Sequence, residues 1–281
     1  MIDRHSQITL LEGAISTFYV NTLTAPLERI KILIQTQDAH PAILNSSVKP
    51  YASISSTLYR ITKEQGIASL WRGNLAGCLR FMPYQYLNLF IYDKLATNFP
   101  NTFWNNFLVG GITGSISLLA VYPFDFARTT LASEVSKPFR FKGVLETIKH
   151  QRVNVFQGFG VALLGSFWYR SVLFGLNQTW QDLNPSQDNS IKSWATKFTI
   201  AHISAIAASF CHYPFDTVTR RLQMQTLFNE KLYQDSFDCF KQIIKNEGYR
   251  GLFKGAGVDM IFCTGVAIIL VTYGEIRTHF L

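Results

Sequence analysis

Tyr122-Pro123-Phe124-Asp125-Phe126-Ala127-Arg128 is one of three closely similar stretches in this chain. An earlier copy reads Pro26-Leu27-Glu28-Arg29-Ile30-Lys31, and a later one reads Tyr213-Pro214-Phe215-Asp216-Thr217-Val218-Thr219-Arg220-Arg221. The three prolines recur at intervals of 97 and 91 residues. Each is followed downstream by an aromatic residue, a polar residue and a glycine: Trp71-Arg72-Gly73, Phe156-Gln157-Gly158 and Phe253-Lys254-Gly255. The period is too long for a solenoid unit. It predicts three copies of a larger module, with repeats over 1–99, 100–186 and 187–281.

The composition places those modules in lipid. The chain has 281 residues, 48% hydrophobic and 16% charged. A soluble domain carries about 25% charged residues. No charge falls between Leu95 and Phe124, between Val153 and Tyr169, or between Met260 and Gly274. The mean hydropathy is nevertheless only +0.11. Helices with one polar face, lining a wet cavity, would give that mixture. A net charge of +8 suits anionic lipid or an anionic solute, and equally the charge bias that orients membrane helices. Residues 1–7 do not resemble a secretory signal. Four dispersed cysteines without a Cys-x-x-Cys pair indicate neither a disulfide framework nor a metal site. No cofactor is expected. Without a nucleophile–base pair, paired carboxylates or a nucleic-acid motif, the chain reads as neither an enzyme nor a nucleic-acid binder.

Periodicity and breakers predict an all-α membrane protein. Six transmembrane helices would run over 8–37, 70–98, 103–133, 157–182, 191–225 and 255–280. Short surface helices over 51–64, 142–150 and 236–246 would join the members of each pair. Three of the long helices contain the repeated proline, which loosens a helix and lets it bend. Small residues four apart, such as Gly110 and Gly114, predict close helix contacts in lipid.

The proline is followed by an acid at +2, and in the first two copies by a base at +5. One reading is a local pair, such as Glu28 with Lys31, because positions three apart share a helix face. The other is a gate: three bent helices converge, and each acid meets the base of a neighbouring repeat. Arg80 inside an apolar helix belongs in a cavity, since a lipid-facing arginine costs roughly 2.5–3.5 kcal/mol or more. Arg170 fits either a solute contact or a structural tie.

Together these motifs resemble the mitochondrial carrier family over essentially the whole chain. The wording is most similar to the ADP/ATP exchangers in Lys63-Glu64-Gln65-Gly66, Trp71-Arg72-Gly73, Arg80-Phe81-Met82-Pro83, Leu87-Asn88 and Tyr169-Arg170. The resemblance implies three helix pairs around a central cavity in the mitochondrial inner membrane, exchanging a solute by alternating access. It implies a matrix gate of Glu28, Lys31, Gln35, Asp125, Arg128 and Asp216, with Glu28 meeting Arg128 and Asp216 meeting Lys31. Asp125 would meet position 219, which is Thr219, leaving Arg220 or Arg221 as replacements. On the opposite side the family's pairs are incomplete: Tyr92 and Asp93 remain on the second helix, Tyr273 and Arg277 on the sixth. The implied solute site is Arg80, Asn88, Gly165, Ser166, Tyr169, Arg170 and Arg220. Asn21 and Phe262 stand where the exchangers have cations. Cardiolipin is expected as a bound lipid at Gly73, Gly158 and Gly255, because helix amino ends hold phosphate.

Two functions follow. One is exchange of an anionic or nucleotide-like metabolite, with ADP/ATP exchange itself not expected. The other is a carrier scaffold serving as a subunit of a large inner-membrane complex, such as a respiratory complex. Degenerate gates favour the second, since a change of solute should spare them.

Overall fold

A computed structural model describes residues 4–100, 102–135, 137–183, 191–228, 231–261 and 264. The long helices are α1 (Arg4–Thr36), α4 (Asn74–Ala96), α5 (Phe103–Ser133), α7 (Phe159–Leu183) and α8 (Ile191–Gln225). Shorter helices α2 (Pro41–Leu44), α3 (Ile54–Gln65), α6 (Val144–His150) and α9 (Ser236–Glu247) lie between them. The start of a further helix, α10, occupies residues 256–261. The rest of that predicted helix, with Tyr273 and Arg277, lies outside the described residues. Among the described residues there is no strand.

Neighbours in the bundle follow chain order. α4 packs on α1 and α5, α5 on α7, α7 on α8, and α8 returns to α1. Among the described residues, only α5 and residues 159–176 are both long and apolar enough to cross a bilayer by composition alone. α1, α4 and α8 fall short because they carry polar and charged side chains inward. Arg29, Gln35, Asp216 and Arg221 are all buried. This is the mixed character the low mean hydropathy implies.

Glycine sets the closest approach. A Cβ on Gly111 would lie 2.4 Å from Ser171 Oγ, and one on Gly110 would lie 2.8 Å from the Phe174 ring. α5 and α7 can therefore touch only because these positions have no side chain. A second use of glycine explains why α4 begins at Asn74 rather than near Leu70. Residues 67–71 form a 3-10 turn, and Gly73 follows at φ +87°. Gly158 and Gly255 adopt the same left-handed conformation, at +79° and +85°. The threefold repeat is thus a repeat of backbone geometry. The tyrosine before two of the prolines locks these turns: Tyr122 donates to Gln157 O at 2.7 Å, and Tyr213 to Lys254 O at 2.9 Å.

The polar loop after α1 is tied down by His40. Its Nδ1 accepts the Ala42 N–H at 3.2 Å, and its ring meets Phe228 edge-on at 4.9 Å. Burial lowers its pKa from 6.5 to about 4. The unfolded chain therefore takes up this proton first as pH falls. Stability is complete above about pH 6.5 and declines toward pH 4. We expect His40 to cost about 2 kcal/mol at pH 5 relative to pH 8. His40→Asn keeps a capping acceptor and should flatten that part of the melting-temperature profile. An unchanged profile would rule this out.

Candidate functional site

The three repeated motifs converge through their charged side chains. Glu28 on α1 pairs with Arg128 on α5. Lys31 on α1 pairs with Asp216 on α8 at 3.3 Å. Both contacts join different repeats, whereas a local Glu28–Lys31 pair does not form among the described contacts. Gln35, one turn below Lys31, donates to Asp216 Oδ2 at 3.2 Å.

The third acid finds a partner that the motif spacing does not indicate. Thr219 is buried, and its hydroxyl meets no partner among the described residues. Neither expected replacement reaches Asp125 as an ion pair. Arg220 turns back along its own helix to Asp216, at 2.9 Å, and donates to Thr129 Oγ1 at 3.2 Å. Arg221 leaves the ring for Glu247 on α9. Asp125 instead pairs with Arg80 of α4 at 3.7 Å. Gln223 Nε2 lies 3.5 Å from the other carboxylate oxygen and donates to Tyr122 OH at 3.0 Å. Gln223 went unnoticed in the sequence, yet the signal is there. It sits nine residues after Pro214, as Gln35 does after Pro26.

The expected solute residues divide into two groups. Arg170 of α7 reaches α4, where Nε donates to Tyr84 OH at 3.1 Å and a terminal nitrogen to Gln85 at 3.3 Å. Its guanidinium lies 4.9 Å from the Tyr84 ring centre and 5.9 Å from that of Tyr169. Tyr169 meets His212 edge-on at 5.8 Å. A Cβ on Gly165 would lie 2.7 Å from His212 Nδ1, so this glycine brings α7 against α8. Arg80, Tyr169, Arg170 and Arg220 thus come from three helices and link to one another through Tyr84, His212 and Asp216. Asn88 is 2% exposed, and its amide nitrogen meets no acceptor among the described residues. Ser166 belongs with the packing: its hydroxyl lies 3.3 Å from where a Cβ on Gly114 would stand. Ser166 therefore serves the α5–α7 contact.

On the other side of the bundle, Tyr92 stacks on Phe174 at 4.6 Å. Asp93 is exposed and joins no ion pair among the described residues. Below the ring, ionic networks tie the short helices to the long ones. Arg221 and Lys254 both hold Glu247, and both also contact Asp38 of the loop after α1. These cations hold the Glu247 carboxyl below its ordinary range against the opposing effect of burial. Near Gly73 a cleft is lined by Trp71, Arg72, Phe139, Lys142 and Gly143.

The family model described as mitochondrial carrier protein matches residues 3–102, 99–187 and 190–281. The chain is 37% identical to the ADP,ATP carrier protein of Parachlorella kessleri, over 95% of this chain and 83% of the relative. It is 39% identical to the mitochondrial substrate carrier family protein ancA of Dictyostelium discoideum, over 91% and 87%. It is 37% identical to ADP/ATP translocase 4 of Bos taurus, over 95% and 87%.

Proposed function

The chain belongs to the mitochondrial carrier family, and on that premise we propose that it exchanges an anionic, nucleotide-like metabolite across the mitochondrial inner membrane. One observation carries this reading. Each of the three motif acids is held in an ion pair with a helix of another repeat: Glu28 with α5, Asp216 with α1 and Asp125 with α4. Each pair joins side chains of different helices, so it can part without unfolding any helix. Above them, Arg170 presents a charge held only by neutral groups among the described contacts. Arg80 and Arg220 each pair with a gate acid, so an arriving anion competes with Asp125 and Asp216 for them. Binding thereby loosens the contacts that close the matrix side. That gives exchange a physical basis, because the empty site keeps its gate shut.

Cardiolipin suits the cleft beside Gly73. Lys137 and Lys142 supply positive charge there, beside an Arg72 tied to Glu134, and Trp71 and Phe139 supply apolar walls. The turns at Gly158 and Gly255 repeat the backbone of this site.

The alternative, a transport-silent subunit of a large complex such as a respiratory complex, loses part of its ground once Asp125 has Arg80. The two readings separate in one experiment. The purified chain is reconstituted into liposomes with and without cardiolipin, preloaded with adenine nucleotides, and assayed for uptake of labelled AMP, ADP and ATP. Saturable counter-exchange that strengthens with cardiolipin is expected. No exchange of any of them, with the native chain migrating at the size of a large complex, would sink the carrier reading.

A further inference from the structure

Asp259, near the start of α10, is a carboxylate that the repeated motifs do not account for. Both of its oxygens are engaged. Oδ1 lies 2.6 Å from Lys31 Nζ, closer than Asp216 does, and Oδ2 accepts the Ser209 hydroxyl at 2.5 Å. Its side chain is 11% exposed. One oxygen is held by a gate lysine and the other by Ser209, so the carboxylate is fixed in place beside the ring.

The charge balance of the ring and the solute residues turns on it. Among the described residues the cations are Lys31, Arg80, Arg128, Arg170 and Arg220. The carboxylates are Glu28, Asp125, Asp216 and Asp259. Every one of these acids is in an ion pair with a member of the cation set. One positive charge is left uncompensated, and geometry assigns it to Arg170, whose hydrogen-bond partners are Tyr84 and Gln85. Without Asp259 a second charge would remain, because Asp216 alone would answer both Lys31 and Arg220. His212 faces Asp216 at 3.8 Å and adds a cation only when protonated.

We infer that Asp259 tunes specificity: it lowers the charge of the site by one and so weakens the advantage of a triphosphate over an anion of low charge, such as a nucleoside monophosphate. This rests on the solute site proposed above and names its substrate class. The physical basis is the long reach of a charge in a partly dehydrated bundle, where attraction to an anion grows with the product of the two charges. Neutralising a fixed carboxylate should therefore favour polyanions over less charged ones. Specificity arises here from repulsion of the wrong solute as much as from attraction of the right one.

The test is binding of inorganic phosphate, pyrophosphate and tripolyphosphate to the full chain in detergent, read as thermal stabilisation across a concentration series. The native chain is expected to bind phosphate and pyrophosphate, and to gain less on going to tripolyphosphate than a variant without the Asp259 charge. Asp259→Asn, which is isosteric and can still accept from Ser209, should raise tripolyphosphate affinity relative to phosphate by about tenfold. Ser209→Ala disturbs the same packing without changing charge and should leave the ranking alone. The inference is overturned if Asp259→Asn and the native chain rank the anions identically, if Ser209→Ala shifts the ranking equally, or if the native chain binds none of them. Liposome exchange is read separately. A chain that binds with this preference but exchanges nothing refutes transport and keeps the role of Asp259. A chain that exchanges nucleotides with an unchanged ranking in Asp259→Asn does the reverse.

Discussion

Arg80→Ala is expected to reduce solute exchange in liposomes by at least about a hundredfold, the scale of losing charged hydrogen bonds of roughly 2–3 kcal/mol. The substitution removes two things together. It takes a guanidinium from the proposed solute site, and it leaves Asp125 without its only ion-pair partner among the described residues. Asp125→Asn removes the gate contact alone and keeps Arg80 for the solute, so about a tenfold loss is expected. In the double variant no charge is left unpaired, and exchange should match that of Arg80→Ala within a few-fold, since the two side chains act on one interaction. Equal losses in both single variants would mean that Arg80 is only a gate residue. A loss confined to Asp125→Asn would remove Arg80 from the mechanism.

The Arg80–Asp125 contact also marks where sequence reading stops. The helices were legible because their punctuation is local. α5 and α8 span the stretches expected for them, 103–133 and 191–225, bounded by Thr102 at one end and by the charged, polar residues after each motif at the other. The Glu28–Arg128 and Lys31–Asp216 contacts were legible through the resemblance to the carrier family, which implies the rule that each acid meets the next repeat's base; the repeat alone left a local pair open. Thr219 breaks the rule, and a rule cannot say what replaces a missing member. Arg220 and Arg221 were nearest in sequence, but a helix turns about 100° per residue. Those two side chains therefore leave Thr219's face, one toward Asp216 and one toward Glu247. Arg80 reaches Asp125 from α4, and only three-dimensional packing places it there. Ser166 illustrates the same limit at one residue's distance. Its neighbour Gly165 faces α8, whereas Ser166 faces α5. Asp259 follows no repeated pattern, so periodicity gave it no weight.

Arg29→Ala should cost more stability than any other single change discussed, at least about 4 kcal/mol. Arg29 lies next to the gate acid Glu28 but is only 1% exposed. Its guanidinium is used almost completely. Nε donates to Ala132 O at 3.4 Å, one terminal nitrogen donates to Ser69 O, and the other to Gln65 Oε1 at 2.7 Å and Glu134 O at 3.0 Å. These acceptors lie at the ends of α3 and α5 and in the turn before α4, so a single side chain joins the first repeat to the second. Gln65 extends the tie by donating to Val135 O at 2.7 Å. Truncation would leave two backbone carbonyls, of Ala132 and Glu134, and the Gln65 amide oxygen buried without the donor they have now, each at about 1–3 kcal/mol before relaxation, while Ser69 O keeps the Arg72 N–H. Arg29→Lys should recover less than half of the loss, because an ammonium lacks the planar fork that addresses several acceptors at once. Thermal unfolding in detergent would measure both variants. A fall of less than 2 °C in the melting temperature for Arg29→Ala, set against the several degrees that even about 1 kcal/mol moves a small domain, would show that water reaches these carbonyls. This end of the bundle would then be held by the Arg221–Glu247–Lys254–Asp38 network rather than by Arg29.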